Sequence, residues 1–555
     1  MSPRAHYKFW PARVPHAIEP PATALHDNLL VSARRFPHRP ALVFLGQVTT
    51  YAELAGHVER VAAWLAQRGI AKGQRVLVGL QNCPQLVIAH YAILCLGAVV
   101  VPVNPMNRAA ELKHLIEDSG AVLAVTSADL SAEWLAAGMA ARDLLVTRLG
   151  EVLPGGCADN PGLPAGWVDW LNADVALPAG STPWGEALAC AASLPAVDVG
   201  AEDLALLPYT SGTTGNPKGC MHKHRSLQHN VVAGGLWANV CHEDVVLGVV
   251  PMFHITGMVV VMHGTLAAGA ALVLMPRWQR EYAARLIAEH RVTRWTNIPT
   301  MVIDLLASPQ VDSFDMSSMV SIGGGGAAMP QAVAERLLSR WGLRYMEGYG
   351  LTETAAPSHS NPYDAPKQQC LGVPYLSCDA RVIDPDTQRE LPAGEAGEII
   401  VSGPMVFDGY WGRPDATAAA FIEVGGRRFF RTGDIGYVDA DGYFFMTDRL
   451  KRMINASGFK VWPSEVENLM HAHPGLAEVC VIAAPDAYRG ETVKAVAVRR
   501  TGHEALTESE LRDWCRAHMA AYKVPARIEF VDSLPKSGAG KVMWRTLQER
   551  ERTKA

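Results

Sequence analysis

The first part of the chain alternates between amphipathic stretches and continuous apolar runs. Residues 51–69, YAELAGHVERVAAWLAQRG, place apolar side chains at helical spacing. Residues 75–80, RVLVGL, are then apolar at nearly every position, over a length that suits only a strand. The same alternation recurs as a helix over 85–96, a strand over 98–103 (AVVVPV), a helix over 110–118 and a strand over 121–125 (AVLAV). Helices alternating with strands that are apolar on both faces predict parallel sheets covered on each side.

Other segments have a different texture. Residues 150–200 are rich in Pro, Ala and Gly with weak periodicity, which predicts a long surface connection with one short helix. Residues 258–276, MVVVMHGTLAAGAALVLMP, carry no formal charge and one His. That run is long enough to raise the question of a membrane span. Gly264, Gly269 and Pro276 interrupt it, and the expectation is a buried helix followed by a buried strand. After residue 380, short runs such as ARVID, GEIIVSG and GYFFMTD are separated by Asp/Pro/Gly turns, as in an antiparallel meander. From 462 the pattern is again βαβ: helix 464–471, strands 478–484 and 493–499, helix 508–518, strand 527–531. The expected fold class is α/β. A large N-terminal domain of parallel-sheet layers with a small β-rich section spans 1–450, and a small C-terminal α+β domain spans 451–555.

Composition narrows the function classes. Hydrophobic residues are 49% and charged residues 19% of 555, enough for a large core and unlike a disordered chain. Fifty basic against 55 acidic residues, a formal charge of −5, give no global pull toward nucleic acid or acidic lipid. The ten cysteines form no CxxC pair, which argues against a zinc ribbon or a thioredoxin-type motif and for reduced thiols. The opening residues lack the apolar core of a signal peptide, so a cytoplasmic location is expected. His222, His224 and His229 lie close together without a carboxylate or Cys in register, so a polar helix face is expected there rather than a metal site.

The most informative chemistry is in residues 209–219, YTSGTTGNPKG. Glycine lets backbone approach an anion, the hydroxyls and amides donate to phosphate oxygens, and Lys218 adds a point charge. No GxxxxGK[ST] register fits, so this is not a Walker A loop. Further along come GYGLTET at 348–354, FRTGDIGY at 430–437, DRLKRMI at 448–454, SGFKV at 457–461 and LPKSGAGKV at 534–542. Together, and in this order, these resemble the motifs of the adenylate-forming superfamily, which includes acyl-CoA synthetases, peptide-synthetase adenylation domains and firefly luciferase. The first two hundred residues join the resemblance only through their α/β texture.

The resemblance implies a role for each matched residue. Thr210, Ser211, Gly212, Thr213, Thr214, Gly215 and Lys218 would hold the β- and γ-phosphates of ATP. Thr352 would contact the α-phosphate and Glu353 would bind Mg2+. Asp434, with Arg449 beside it, would take the ribose hydroxyls, and Tyr349 would stack on adenine. Residues 321–330, SIGGGGAAMP, also fit a weak GxGxxA dinucleotide pattern. The resemblance instead makes Gly325, Gly326, Ala327 and Ala328 the wall against adenine. Lys541 matches the catalytic lysine between carboxylate and α-phosphate, Lys451 the hinge of a mobile C-terminal domain, and Gly458 with Lys460 the CoA tunnel.

Phe253-His254 stands near where amino-acid-activating members carry an Asp, which disfavours a free amino acid. His254 reads either as a buried, hydrogen-bonded core histidine or, by resemblance, as a gate near the reacting carboxylate. Gly350 stands where acetate-specific relatives carry a pocket-closing Trp. That implies a longer or aryl acid, with Trp237, Thr256, Gly257, Met258, Thr300 and Met301 as pocket lining by position. The chain carries no carrier-protein serine motif and ends RTKA rather than SKL. The expected activity is an AMP-forming acid–CoA ligase for a medium- or long-chain fatty or aryl acid, using ATP, Mg2+ and CoA. The expected partners are the acid and CoA, with a homodimer allowed and no nucleic acid or membrane span. The alternatives are an acyl-AMP ligase that loads a carrier protein and a nucleotide-binding regulatory module without turnover.

Overall fold

The computed structural model describes residues 4–153, 162–171, 173–210, 217–449, 452, 454–456, 459–461, 463–486, 490–519, 521–536 and 542–554. The chain forms two compact units, residues 1–379 with 401–430, and residues 380–400 with 431–555.

The first unit contains two mainly parallel sheets. Among the described residues, one has seven strands, with Val99–Pro102, Arg75–Gly79, Leu123–Ser127 and Leu144–Thr147 adjacent and parallel. The other has nine. Its parallel centre runs Tyr345–Leu351, Ser321–Gly324, Arg294–Asn297, Val245–Gly248, Ala271–Leu274 and Pro40–Phe44. The apolar runs at 75–80, 98–103 and 121–125 are thus inner strands, which explains why they lack alternation.

Two helices fill the core that both sheets share. Tyr51–Gln67 opens with a capping box: the Thr50 hydroxyl accepts from the Glu53 amide at 3.3 Å, and the Glu53 carboxylate accepts from the Thr50 amide at 2.8 Å. Pro84–Cys95 is apolar all round and is buried along nearly its whole length, as a helix between layers must be.

The uncharged run at 258–276 belongs to this core. A π-helix, Thr256–His263, continues as the α-helix Gly264–Ala268 and leads into the inner strand Ala271–Leu274. Its one histidine, His263, is fully buried, with ring nitrogens 2.8 Å from the Tyr91 hydroxyl and 2.8 Å from His90 Nε2. No helix among the described residues is long and apolar enough to cross a membrane.

The 150–200 stretch departs from expectation. Its described residues hold two short α-helices, Trp167–Leu171 and Trp184–Leu188, and an edge strand, Thr182–Pro183. Trp167, Leu171, Trp184 and Ala187 are buried in the main core. Isolated indoles supply the burial that periodicity would otherwise signal, so this segment packs rather than merely connects.

The strand Arg427–Val438 passes from the first unit into the second at Arg431. Within the second unit it pairs antiparallel with Phe444–Arg449. After the strands Ile454–Ala456 and Phe459–Val461 and the helix Pro463–Met470, the long strands Leu476–Asp486 and Gly490–Arg499 pair antiparallel, and Arg527–Phe530 joins them in parallel after the helix Glu508–His518. Val466, Met470, Val481, Ala495, Leu511 and Cys515 form the core beneath.

Candidate active site

The phosphate-loop motif is mounted on a small antiparallel pair. Thr210 lies opposite Lys218 and Tyr209 opposite Gly219. Ser211, Gly212, Thr213, Thr214 and Gly215, between the two strands, lie outside the described residues. The base of the pair is tied down from several sides. Asp118 accepts from the Tyr209 hydroxyl at 2.8 Å and from Arg413 at 2.5 Å, while its carbonyl accepts from the Trp411 indole at 3.2 Å. His114 Nε2 lies 2.9 Å from the Pro217 carbonyl. A Cβ on Gly219 would lie 2.9 Å from the Leu207 side chain, which would have to shift to admit a larger residue there. The Lys218 ammonium sits 4.9 Å over the Tyr410 ring.

The strand Tyr345–Leu351 ends in one 3-10 turn, Thr352–Thr354, which carries Thr352 and Glu353. Each is held by a contact distant in sequence. His222 Nε2 donates to the Thr352 carbonyl at 2.7 Å. The Phe407 amide donates to the Glu353 carbonyl at 2.8 Å, and the Tyr410 hydroxyl donates to Glu353 Oε1 at 2.9 Å. Burial, with the Glu353 charge alongside, pushes the Tyr410 phenol far above its usual range, so it stays a donor. Burial pushes His222 down to about 4, so it stays neutral with its proton on Nε2.

Beyond the turn, Ala355 and Ala356 adopt φ of 52° and 83°, left-handed values that cost a non-glycine residue on the order of 1 kcal/mol or more each. The Asn230 side chain holds this kink by donating to the carbonyls of Thr354, Ala355 and Pro357 at 3.0, 2.8 and 3.2 Å. Gly350 lies just before it. A Cβ there would be 1.8 Å from the Ala356 carbonyl oxygen, so the strand pairing itself demands glycine at 350.

The glycines of 321–330 serve sheet packing. A Cβ on Gly323, Gly324 or Gly325 would come within 2.3, 1.8 or 2.4 Å of a carbonyl oxygen on a neighbouring strand. Gly326 has φ of 84°, and Ala327 and Ala328 are exposed. The next helix, Gln331–Trp341, starts only after Pro330, so the GxGxxA residues do not form a helix N-terminus and the dinucleotide reading fails. Tyr349 is buried, with its ring 5.5 Å from His359. Behind it Glu347 accepts from the amides of Met329 at 2.7 Å and Cys370 at 3.2 Å.

His254 is exposed, with its ring 4.5 Å from Phe253, and so is not a buried core histidine. Thr256 opens the π-helix, and a Cβ on Gly257 would lie 2.2 Å from the Pro251 carbonyl oxygen, so the bend requires glycine. Thr300 is exposed at the start of the helix Pro299–Leu306. Trp237 is buried against Trp10 at 4.9 Å and donates from its indole to the Asn361 carbonyl at 3.1 Å. The three clustered histidines are buried, not on a polar face. His222 is placed as above, and His224 Nδ1 accepts from the Leu25 amide at 2.9 Å. Among the described residues no group of three or more His, Cys, Asp or Glu could hold a metal ion.

In the second unit Asp434 and Arg449 are backbone partners in the strand register. The turn before Asp434 is organised by a residue the motif does not contain. Buried Glu398 accepts from Arg431 Nε at 3.0 Å and Nη2 at 2.5 Å, and from the Gly433 amide at 3.2 Å. Thr432 donates to the Ile399 carbonyl at 2.6 Å and accepts from the Asp434 amide at 3.1 Å. Lys460 lies on the strand Phe459–Val461. Lys451, Gly458 and Lys541 lie outside the described residues.

Known proteins share both the sequence pattern and the fold. Residues 29–411 match the model for the AMP-binding enzyme family, and residues 465–541 match that for the AMP-binding enzyme C-terminal domain. The chain belongs to the AMP-binding enzymes. It is 35% identical to a long-chain-fatty-acid–CoA ligase of Bacillus subtilis over 98% of this chain and 97% of that protein. It is 36% identical to a feruloyl-CoA synthase of Amycolatopsis sp over 92% of this chain and 96% of that protein. Its fold matches the crystal structure of ATP-bound MatB from Rhodopseudomonas palustris with a TM-score of 0.82 and 30% identity, covering 96% of this chain and 99% of that one.

Sequence reasoning alone misses Asp118, Asn230, Glu347, Glu398 and Tyr410. A lone polar residue within an apolar helix or strand, as at Asn230 in HNVVAGG and Glu398 in GEIIVSG, is the available signal for two of them.

Proposed function

We propose that this protein is an AMP-forming acid–CoA ligase acting on a medium- or long-chain fatty acid or an aryl acid. Both acid classes appear in the names of its near-full-length relatives. The observation that carries the reading is the Glu353 turn. Its carboxylate is fixed by the hydroxyl of Tyr410, whose ring also lies beneath Lys218 of the phosphate hairpin. A carboxylate beside a phosphate hairpin suits a cation that arrives with the nucleotide, since Mg2+ is usually bound through one or two carboxylates plus phosphates. Mg2+ supplies charge neutralisation on the phosphates.

Each residue then has one task. The hydroxyls and amides of 210–215 and the Lys218 ammonium hold the β- and γ-phosphates, and Thr352 orients the α-phosphate. Gly325, Gly326, Ala327, Ala328 and Tyr349 receive adenine. Asp434 with Arg449 takes the ribose hydroxyls. His254 guards the reacting carboxylate, and Thr256, Gly257, Thr300, Gly350 and Trp237 belong to the acyl side. Lys541 stabilises the charge that builds as the carboxylate attacks the α-phosphorus and pyrophosphate leaves. The CoA thiol then attacks the acyl carbon along Gly458 and Lys460, and AMP leaves. Residues 1–450 and 451–555 are the functional domains, with Lys451 as the hinge between the two half-reactions. The reaction belongs in the cytoplasm, where ATP and CoA are supplied.

Measuring both half-reactions in two variants tests this. Lys541→Ala should slow pyrophosphate release on the order of 10²–10³-fold while leaving thioester formation from supplied acyl-AMP near wild type. Gly458→Leu should do the reverse. Equal slowing of both steps by Lys541→Ala would overturn the assignment.

A further inference from the structure

We propose that Tyr410 is a positioning residue that couples the phosphate hairpin to the metal-binding carboxylate. This rests on the role given above to Glu353 and adds to it a residue outside every motif that carried that reading. Tyr410 follows Gly409 in the segment DGYWGRPDAT, which reads as an ordinary turn-and-helix start. Yet its two ends meet two different parts of the site. The hydroxyl donates to Glu353 Oε1 at 2.9 Å, and the ring face lies 4.9 Å under the Lys218 ammonium.

The surroundings fix the side chain. Its ring packs edge-on against Phe407 at 4.9 Å. Its amide donates to the Thr417 hydroxyl at 2.9 Å, and its backbone forms a β-bridge with Cys220. The neighbouring Trp411 amide donates to the Gly219 carbonyl at 2.8 Å, so this segment is laced to the return strand of the hairpin. A shift of Lys218 and a rotation of Glu353 are therefore both felt by one rigid ring.

The chemistry comes from the inventory of a carboxylate. Its two oxygens offer about four lone-pair sites, so accepting one phenolic proton leaves capacity for a hard cation while fixing the plane of the group. Partners that orient a metal ligand in this way are typically worth about 10- to 100-fold in metal affinity. The ring adds a second effect. An aromatic face holds an ammonium without neutralising it, so Lys218 keeps its full charge for the phosphates.

The test uses the full chain, ATP without acid, and Mn2+ as a spectroscopic stand-in for Mg2+. Bound Mn2+ is read by electron paramagnetic resonance, and ATP binding without metal by calorimetry. Tyr410→Phe keeps the ring packing and should raise the Mn2+ midpoint about 10-fold, with metal-free ATP binding unchanged. Tyr410→Leu should raise the midpoint equally and also weaken metal-free ATP binding by about 3-fold through loss of the ring under Lys218. In a Glu353→Ala background, Tyr410→Phe should change Mn2+ binding no further, whereas a general structural role would add its own loss. A wild-type Mn2+ midpoint in Tyr410→Phe, or an additive effect in the Glu353→Ala background, would overturn the proposal while leaving Glu353 in place. Failure of the wild-type protein to bind Mn2+ with ATP would overturn the Glu353 role as well.

Discussion

The Asn230 carboxamide donates to the Ala355 carbonyl at 2.8 Å across 125 positions of sequence. Through this bond and those to Thr354 and Pro357, one buried side chain holds open the left-handed kink that comes after Glu353. Asn230→Ala leaves three carbonyls without that donor, and a buried group left unsatisfied costs about 1–3 kcal/mol. The variant should unfold at lower denaturant and lose adenylation more than thioester formation from supplied acyl-AMP. Asn230→Asp keeps the shape but places oxygens against oxygens, so it should be worse than Ala in both assays. Equal behaviour of the two variants would show that the donor is not what matters.

Glu398 should prove necessary for the turn proposed to bind ribose although it lies outside the FRTGD motif. Glu398→Ala leaves Arg431 and the Gly433 amide without their acceptor. Breaking a buried ion pair costs about 3–5 kcal/mol, and the lower end applies because Arg431 is 26% exposed. Denaturant unfolding should show that loss, and AMP binding by calorimetry should weaken with it.

Substitution at Gly350 should read out backbone geometry before it reads out substrate size. Even Gly350→Ala puts a Cβ 1.8 Å from the Ala356 carbonyl oxygen. The variant should melt at lower temperature and lose activity on all acids together. A selective gain on short acids with unchanged melting temperature would show instead that position 350 faces the acyl group without strain.

Burial also sets a pH dependence. It pushes His90 and His359 down to about 3, and His222 and His224 to about 4, from an ordinary value of 6.5. Each is therefore neutral in the folded state, while the unfolded chain takes up a proton below about pH 6.5. Their contribution to stability is complete above that pH and is lost progressively as pH falls toward about 4 for His222 and His224 and about 3 for His90 and His359. The slope approaches about 1.4 kcal/mol per pH unit for each such histidine. Denaturant unfolding at about pH 7.5, 6 and 5 should show flat behaviour at the top of that range and a steep decline below the ordinary histidine value. A constant stability across the range would contradict the neutral, buried assignment.

Much of the molecule is legible in the sequence, for identifiable reasons. The helix Glu508–His518 has the predicted bounds because Thr507 and Glu510 form a capping box and the apolar positions are regularly spaced. The run at 258–276 reads as helix then strand because Gly269, left-handed at φ of 76°, ends the helix just before the strand begins. The 150–200 segment misleads because Trp167 and Trp184 anchor it singly, with no period to detect. The phosphate hairpin and the Glu353 turn are visible because their residue types are local. Asn230, Glu398 and Tyr410 are not, because each acts on a partner 33 or more positions away, and a single sequence carries no sign of that pairing.

If the proposed function holds, a carboxylate is activated by bonding to the α-phosphorus of ATP. Turnover of an acid labelled with 18O in both carboxylate oxygens, with ATP and CoA, tests this most directly. The attacking oxygen becomes the bridge of the acyl adenylate, and cleavage by the thiol leaves that oxygen on phosphorus. Mass spectrometry should find AMP carrying one 18O, acyl-CoA carrying the other, and unlabelled pyrophosphate. ADP with labelled orthophosphate, or AMP without label, would contradict the proposed chemistry.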